Sequence, residues 1–325
     1  MNHSRHLQPA RAGRRAVLRT AGALALAVPL GTTAWAQSAA GTMRVGFQKG
    51  GGLLNVLKAQ GRLEKLLGGS GWKVSWHEFP AGPQLLEALN GGSVDLGWTG
   101  APPPIFAQAA GIELVYAAAE PPAPHIEAIV VRPDSPVRTV ADLRGKRVAF
   151  QKGSSANFLL VAALEKAGVK FSEIQPVHLP PADGRAAFES GRVDVWSVWD
   201  PYLAAVQDAL KTRTLSDYEG LLQPSTFYQA SRRFAENHPQ VLEELARTGE
   251  WANGHRRELA ELLAPTVGLP VPVVEAWQAR NPYGAQPITP QIVAVQQQVA
   301  DTFHAQNLIP RRIEVARYVW DWKRG

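Results

Sequence analysis

Gln48-Lys49-Gly50-Gly51 and, about a hundred residues later, Gln151-Lys152-Gly153-Ser154-Ser155 are the residues whose types and spacing could do chemistry. Each string follows a short apolar run and precedes an amphipathic stretch, so each is a strand-to-helix turn. Backbone N–H groups of a first helical turn have no partner within the helix and carry a partial positive charge, which makes such a turn an anion niche. Glycine at Gly50, Gly51 and Gly153 lets backbone approach a ligand closely, and Ser154 and Ser155 add hydroxyl donors. Three or four hydrogen bonds to a charged group, each worth about 1.5–3 kcal/mol, hold a small anion without a buried cation. The same residues also suit a plain role in which Ser154 or Ser155 caps its helix and the glycines only turn the chain.

Other positions fit around these niches. Gln48 is a polar contact beside the glycines. Thr99 and Gly100 end another strand before Pro102-Pro103-Pro104, and Asp200-Pro201 ends its counterpart as an N-cap followed by proline. Trp199 is placed to wall an apolar tail. Lys49 and Lys152 could neutralise an anion, although lysines at such turns commonly project into water. Catalytic patterns have no support: His77, His125, His178, His238, His255 and His304 form no i, i+4 pair, and there is no GxSxG, GxxxxGK[ST] or GxGxxG string. With no cysteine in 325 residues, disulfides, iron–sulfur ligation and cysteine-based zinc sites are excluded. No metal or cofactor is expected.

The elements that must position these residues repeat. Arg44-Val45-Gly46-Phe47 recurs as Arg147-Val148-Ala149-Phe150, and Gly92-Ser93-Val94-Asp95-Leu96 as Gly191-Arg192-Val193-Asp194-Val195, in the same order. Two rounds of strand–helix–strand–helix–strand predict two α/β lobes with mainly parallel sheets. Lobe 1 is expected over 37–131 plus 230–325 and lobe 2 over 132–229, with Thr226–Ala230 as an extended return strand. The region after 235 reads as helices broken by proline, returning to pack on lobe 1. Two chain crossings make a hinge, and a hinge makes a ligand cleft.

Charge excludes another class. The formal charge is +6, but residues 1–36 hold five arginines and no acid, so the rest has 29 basic against 28 acidic residues. Such a balance gives no footprint for nucleic acid. Arg14-Arg15, the apolar run Ala21–Leu30 and Ala34-Trp35-Ala36 read as a twin-arginine export signal over 1–36, its apolar core about half of what a membrane span needs.

Five strings together carry a family resemblance: Arg44–Gly51, Glu78–Leu89, Pro103–Gly111, Leu179–Asp183 and Trp199-Asp200-Pro201-Tyr202. The chain after the leader resembles the periplasmic aliphatic-sulfonate-binding proteins of ABC importers, in the wider group for sulfonates, taurine, nitrate and thiamine precursors. The resemblance implies a type II periplasmic-binding fold, two α/β lobes closing on ligand about a two-crossing hinge. It also implies a soluble, non-enzymatic periplasmic receptor, monomeric, delivering an alkanesulfonate-like anion to a permease with its cytoplasmic ATPase. The ligand residues expected are Gln48, Gly50, Gly51, Thr99, Gly100, Gly153, Ser154, Ser155, Trp199 and Asp200. One departure stands out: Ala101 occupies a place where the family usually has an acid, which implies a ligand without an ammonium group. The alternatives are a receptor for taurine, nitrate, a sulfate ester or a thiamine precursor, or an exported enzyme or cofactor carrier on the same fold.

Overall fold

The computed structural model describes residues 41–323; the export signal read over 1–36 lies outside them. The first half-chain gives β1 (Thr42–Phe47), α1 (Gly52–Gln60), α2 (Arg62–Gly68), β2 (Lys73–Glu78), α3 (Gly82–Asn90), β3 (Leu96–Thr99), α4 (Pro102–Ala109) and β4 (Val115–Ala119). After a crossing come β5 (Glu127–Val131), β6 (Arg147–Phe150), α5 (Ser155–Lys166), β7 (Gln175–His178), α6 (Pro181–Glu189), β8 (Val195–Trp199), α7 (Tyr202–Leu210) and β9 (Arg213–Ser216). The chain then returns through β10 (Phe227–Ala230) into α8 (Arg232–Asn237), α9 (Pro239–Gly254), α10 (Arg256–Val267), α11 (Val271–Ala279) and α12 (Pro290–Ala305).

Two five-stranded sheets result, in the orders β2-β1-β3-β10-β4 and β7-β6-β8-β5-β9. In each, four strands share one direction and one, β10 or β5, inserts antiparallel between two of them. That exchange shifts the expected boundaries. β5 pairs with β8 and β9 in the second sheet, and β10 with β3 and β4 in the first. The lobes therefore change before 127 and before 227, not after 131 and 229. The crossings are the polar and proline-containing stretches 120–126 and 217–226.

The repeat has a physical basis. Arg44 clasps Asp95 through Nε (2.9 Å) and Nη2 (2.6 Å), while its backbone N–H donates to the same carboxylate at 2.8 Å. Arg147 holds Asp194 in the same way, at 3.1, 2.8 and 2.9 Å. In both lobes the arginine also donates to the glycine carbonyl three residues before the aspartate, Gly92 or Gly191. The clasp fixes the start of the first parallel strand against the start of the third, and so fixes where both deliver their carboxyl ends. The Arg147 guanidinium, with the Arg147 N–H, holds the Asp194 carboxyl below its usual range. That contribution is present above the ordinary aspartate value and is lost as pH falls through the depressed one. Asp194→Ala should lower stability by about 1–2 kcal/mol at neutral pH. Urea midpoints of variant and wild type should converge once pH has fallen below the depressed Asp194 value; a gap that persists there would assign the loss to packing instead.

The C-terminal helices do pack on lobe 1: Leu53, Leu54 and Leu57 of α1 share a core with Leu245, Leu259, Leu263 and Trp277. They reach further than expected, because Phe303 of α12 lies between Phe106 of α4 and Phe158 of α5. The crossings are tied to each other. Buried Glu120 accepts from Trp98 Nε1 (2.8 Å), Thr226 Oγ1 (2.9 Å) and the Tyr228 hydroxyl, and the exposed pair His125–Asp217 (2.8 Å) bridges the two segments.

Candidate functional site

A cavity lies where the carboxyl ends of β1, β3 and β8 meet the start of β5, as expected for open α/β sheets. On the lobe 1 side the turn after β1 is internally bound. Gln48 donates through Nε2 to the Trp98 carbonyl (3.0 Å), and the Gln48 carbonyl accepts from Gly51 N–H (2.9 Å) and from Asn55 (3.0 Å). Gln48 and Gly50 thereby line the cavity, while Gly51 turns the chain behind them. Thr99 is fully buried, donating to the Gly100 carbonyl and accepting from Gln229, both at 2.9 Å, so it supports the wall without lining it. Gly100 does line it.

On the lobe 2 side the plain role and the ligand role divide between neighbours. Ser154 caps α5: its Oγ donates to the Gln151 carbonyl at 2.7 Å and accepts from Asn157 N–H at 3.3 Å. Its hydroxyl proton is therefore spent, although the residue borders the cavity. Gly153 turns the chain at φ 73°, gives its N–H to Asn157 Oδ1 (3.0 Å), and does not line the cavity. What remains toward the ligand space is the Ser155 hydroxyl, which donates to the Glu127 carboxylate. Among the described residues, the first-turn N–H groups of Ser155 and Ala156 have no acceptor within the protein.

The lobes touch around this space. A Cβ on Gly50 would fall 2.3 Å from the Asp200 carbonyl oxygen, and one on Gly100 would fall 2.8 Å from Ser155 Cβ. Asp200, beyond β8, is held by Arg280, beyond α11, through Nε–Oδ2 (2.7 Å) and Nη2–Oδ1 (2.9 Å). Burial pushes the Asp200 carboxyl up, opposed by Arg280 and by the Ala204 N–H that it caps. Trp199 packs on Ala81 and Ala156, and with Trp98 and Trp277 supplies flat apolar wall.

Of the ten residues read from sequence, Gln48, Gly50, Gly100, Ser154, Ser155, Trp199 and Asp200 line one cavity, and Gly51, Thr99 and Gly153 sit behind it. Eight lining residues were missed, among them Glu127, Trp277 and Asn281. For Glu127 a signal existed, since an acid heading the buried strand Ala128-Ile129-Val130-Val131 has no packing reason to be there. It corrects the inference drawn from Ala101, because carboxylates reach the cavity from Glu127 and Asp200 instead. Burial, with Asp200 nearby, pushes the Glu127 carboxyl up to about 8 against a hydrogen bond from Ser155. Among the described residues no Lys, Arg or His lines the cavity, and Lys49 and Lys152 are exposed.

Two α/β lobes, crossed twice by the chain and meeting over a cavity rich in amides and hydroxyls, define a solute-binding protein of the type II periplasmic-binding fold. The chain belongs to the NMT1/THI5-like family, whose profile matches residues 71–252. It is 46% identical over 290 residues to an aliphatic sulfonates-binding protein of Escherichia coli, covering 88% of this chain and 90% of that one. Two solved structures superpose closely. The periplasmic aliphatic sulphonate binding protein SsuA of Escherichia coli gives a TM-score of 0.78 at 45% identity, covering 87% of this chain and 93% of that chain. The alkanesulfonate-binding protein SsuA of Xanthomonas axonopodis pv. citri, bound to MOPS, gives 0.81 at 44%, covering 86% and 98%.

Proposed function

We propose that this protein is the solute receptor of an ABC importer, not an enzyme, and that it captures an aliphatic sulfonate by lobe closure. The observation that carries this reading is the cavity itself. It offers the Ser155 hydroxyl and the unpartnered Ser155 N–H at the start of α5 to an anion, and tryptophan walls to a tail, and among the described residues no cation lines it. A sulfonate keeps its charge at any physiological pH, so a site that neutralises charge with oriented amides suits it. The relatives that bind aliphatic sulfonates, and the one that holds MOPS, support the tail-bearing sulfonate over nitrate. Ser155 holds the oxyanion, its hydroxyl turning from Glu127 to the anion; Gln48, Gly50, Gly100 and Trp199 surround it. Residence in the periplasm, action as a monomer and delivery to a permease with its ATPase belong to the same reading, as does removal of the leader over 1–36.

Calorimetry with butanesulfonate and with butylammonium tests the reading: only the sulfonate should bind. Ser155→Ala removes one hydrogen bond to a charged group, about 1.5–3 kcal/mol, so Kd should rise about tenfold to a hundredfold. An unchanged Kd would take Ser155 out of the site, and absence of sulfonate binding would end the receptor reading.

A further inference from the structure

Glu127 is 4% exposed and heads β5 at the first crossing. It lines the ligand cavity and also the adjoining one toward Tyr218, and its Oε2 is a buried oxygen without a hydrogen-bond partner. A carboxylate in such a place normally finds a cation or a set of donors, since an unpaired buried charge is costly. Here the groups facing it are the Ser155 hydroxyl from α5, the Asp200 carboxylate beyond β8 and the Tyr218 phenol beyond β9. Tyr218 donates its proton to the Ser155 carbonyl at 2.8 Å, and burial raises it well out of titration range. Arg280, the cation paired with that Asp200, is committed to Asp200 and to Gln207. His125 and Asp217 pair with each other on the exposed side of the crossings and line neither cavity.

Resting on the sulfonate reading, we infer that Glu127 takes up a proton as the lobes close over the anion, so that capture of a simple alkanesulfonate is coupled to protonation. An ionised Glu127 would place a second unscreened negative charge beside the sulfonate. A protonated one turns Oε2 from an orphan acceptor into a donor for a sulfonate oxygen or leaves a neutral lining group. With the lobes apart, water reaches the carboxyl and restores its ordinary carboxylate behaviour; closure raises it to about 8 by burial and by Asp200. The sign follows. The closed state binds one more proton than the open one, so affinity is highest at low pH and falls as pH rises toward about 8. Across that window the loss approaches tenfold per pH unit.

The test is calorimetry of butanesulfonate with the full chain at pH 6 to 8, in cacodylate and in imidazole, since sulfonate buffers would compete. Expected are close to one proton taken up per ligand at pH 6, falling toward about one half at pH 8, read from the difference in heat between the two buffers, and a Kd that rises close to tenfold per pH unit in the lower part of that range. Glu127→Gln, which keeps the shape and carries a permanent donor, should remove both effects, and His125→Gln should leave both in place. Binding with no proton uptake and a flat pH profile in the wild type would overturn the inference while leaving the receptor reading intact. A slope that survives in Glu127→Gln or disappears in His125→Gln would also overturn it. Failure to bind butanesulfonate at every pH would overturn both.

Discussion

Gly50→Ala weakens butanesulfonate binding by about tenfold to a hundredfold and leaves the ligand-free fold intact. The added methyl falls 2.3 Å from the Asp200 carbonyl oxygen, a separation that no Cβ sustains. The obstacle is backbone of the other lobe, so no rotamer change relieves it. Gly50 lies outside the left-handed backbone region, so alanine meets no local strain there. Overpacking costs about 1–3 kcal/mol, and here the whole of it falls on closure, because separated lobes leave the methyl in water. Each 1.4 kcal/mol is tenfold in affinity. Calorimetry gives the Kd and thermal unfolding of ligand-free protein gives the control. Wild-type affinity in Gly50→Ala would mean that ligand is held without the contact seen between these lobes.

The same glycine marks how far the sequence could be read. The two Gln-Lys-Gly turns announced two strand-to-helix junctions, and their repetition announced two lobes, because a turn of that kind is a local object. Its residues, their spacing and its conformation are set within a few positions of each other. The Arg–Asp clasps were visible for the same reason as a repeated pair of strings, although their bonds were not. The exchange of β5 and β10 between sheets was not legible, since a strand's partner is chosen by packing of the whole domain and not by its own five residues. Ser154 and Ser155 were legible as a pair but not separable. Which hydroxyl caps the helix and which faces the ligand depends on one χ1 rotation and on the Gln151 carbonyl beside it. Asn281 and Trp277 come from a helical segment some 230 residues beyond the first niche. Nothing in their local pattern distinguishes them from core. Glu127 alone among the missed residues broke its own context, being charged where its strand is apolar.

Arg280 carries the other large expectation, and it concerns a contact that no motif suggested. Asp200 has only 2% of its side chain exposed, whereas Arg280 has 21%. Removing the guanidinium in Arg280→Ala strands the Asp200 carboxylate inside the closed molecule, with the Ala204 N–H as its remaining donor. Breaking a buried pair from one side costs about 3–5 kcal/mol, and the partial exposure of Arg280 reduces this to roughly 2–3 kcal/mol. The penalty again falls on closure, so Kd should rise about thirtyfold to a hundredfold. Asp200→Asn should cost less. The amide keeps the cap on Ala204 and can still accept from Arg280, and the partly exposed guanidinium can turn to water. The ordering, Arg280→Ala worse than Asp200→Asn, separates a latch between lobes from a general need for charge at the cavity, because the second case predicts the reverse. The loss should sit in the dissociation rate, since a latch acts after encounter, and stopped-flow tryptophan fluorescence resolves it. It should also change little between low and high salt, because the pair is shielded from the ionic atmosphere that screens exposed charges. Equal off-rates in wild type and Arg280→Ala would remove the ion pair from closure and leave it as a local brace for α7.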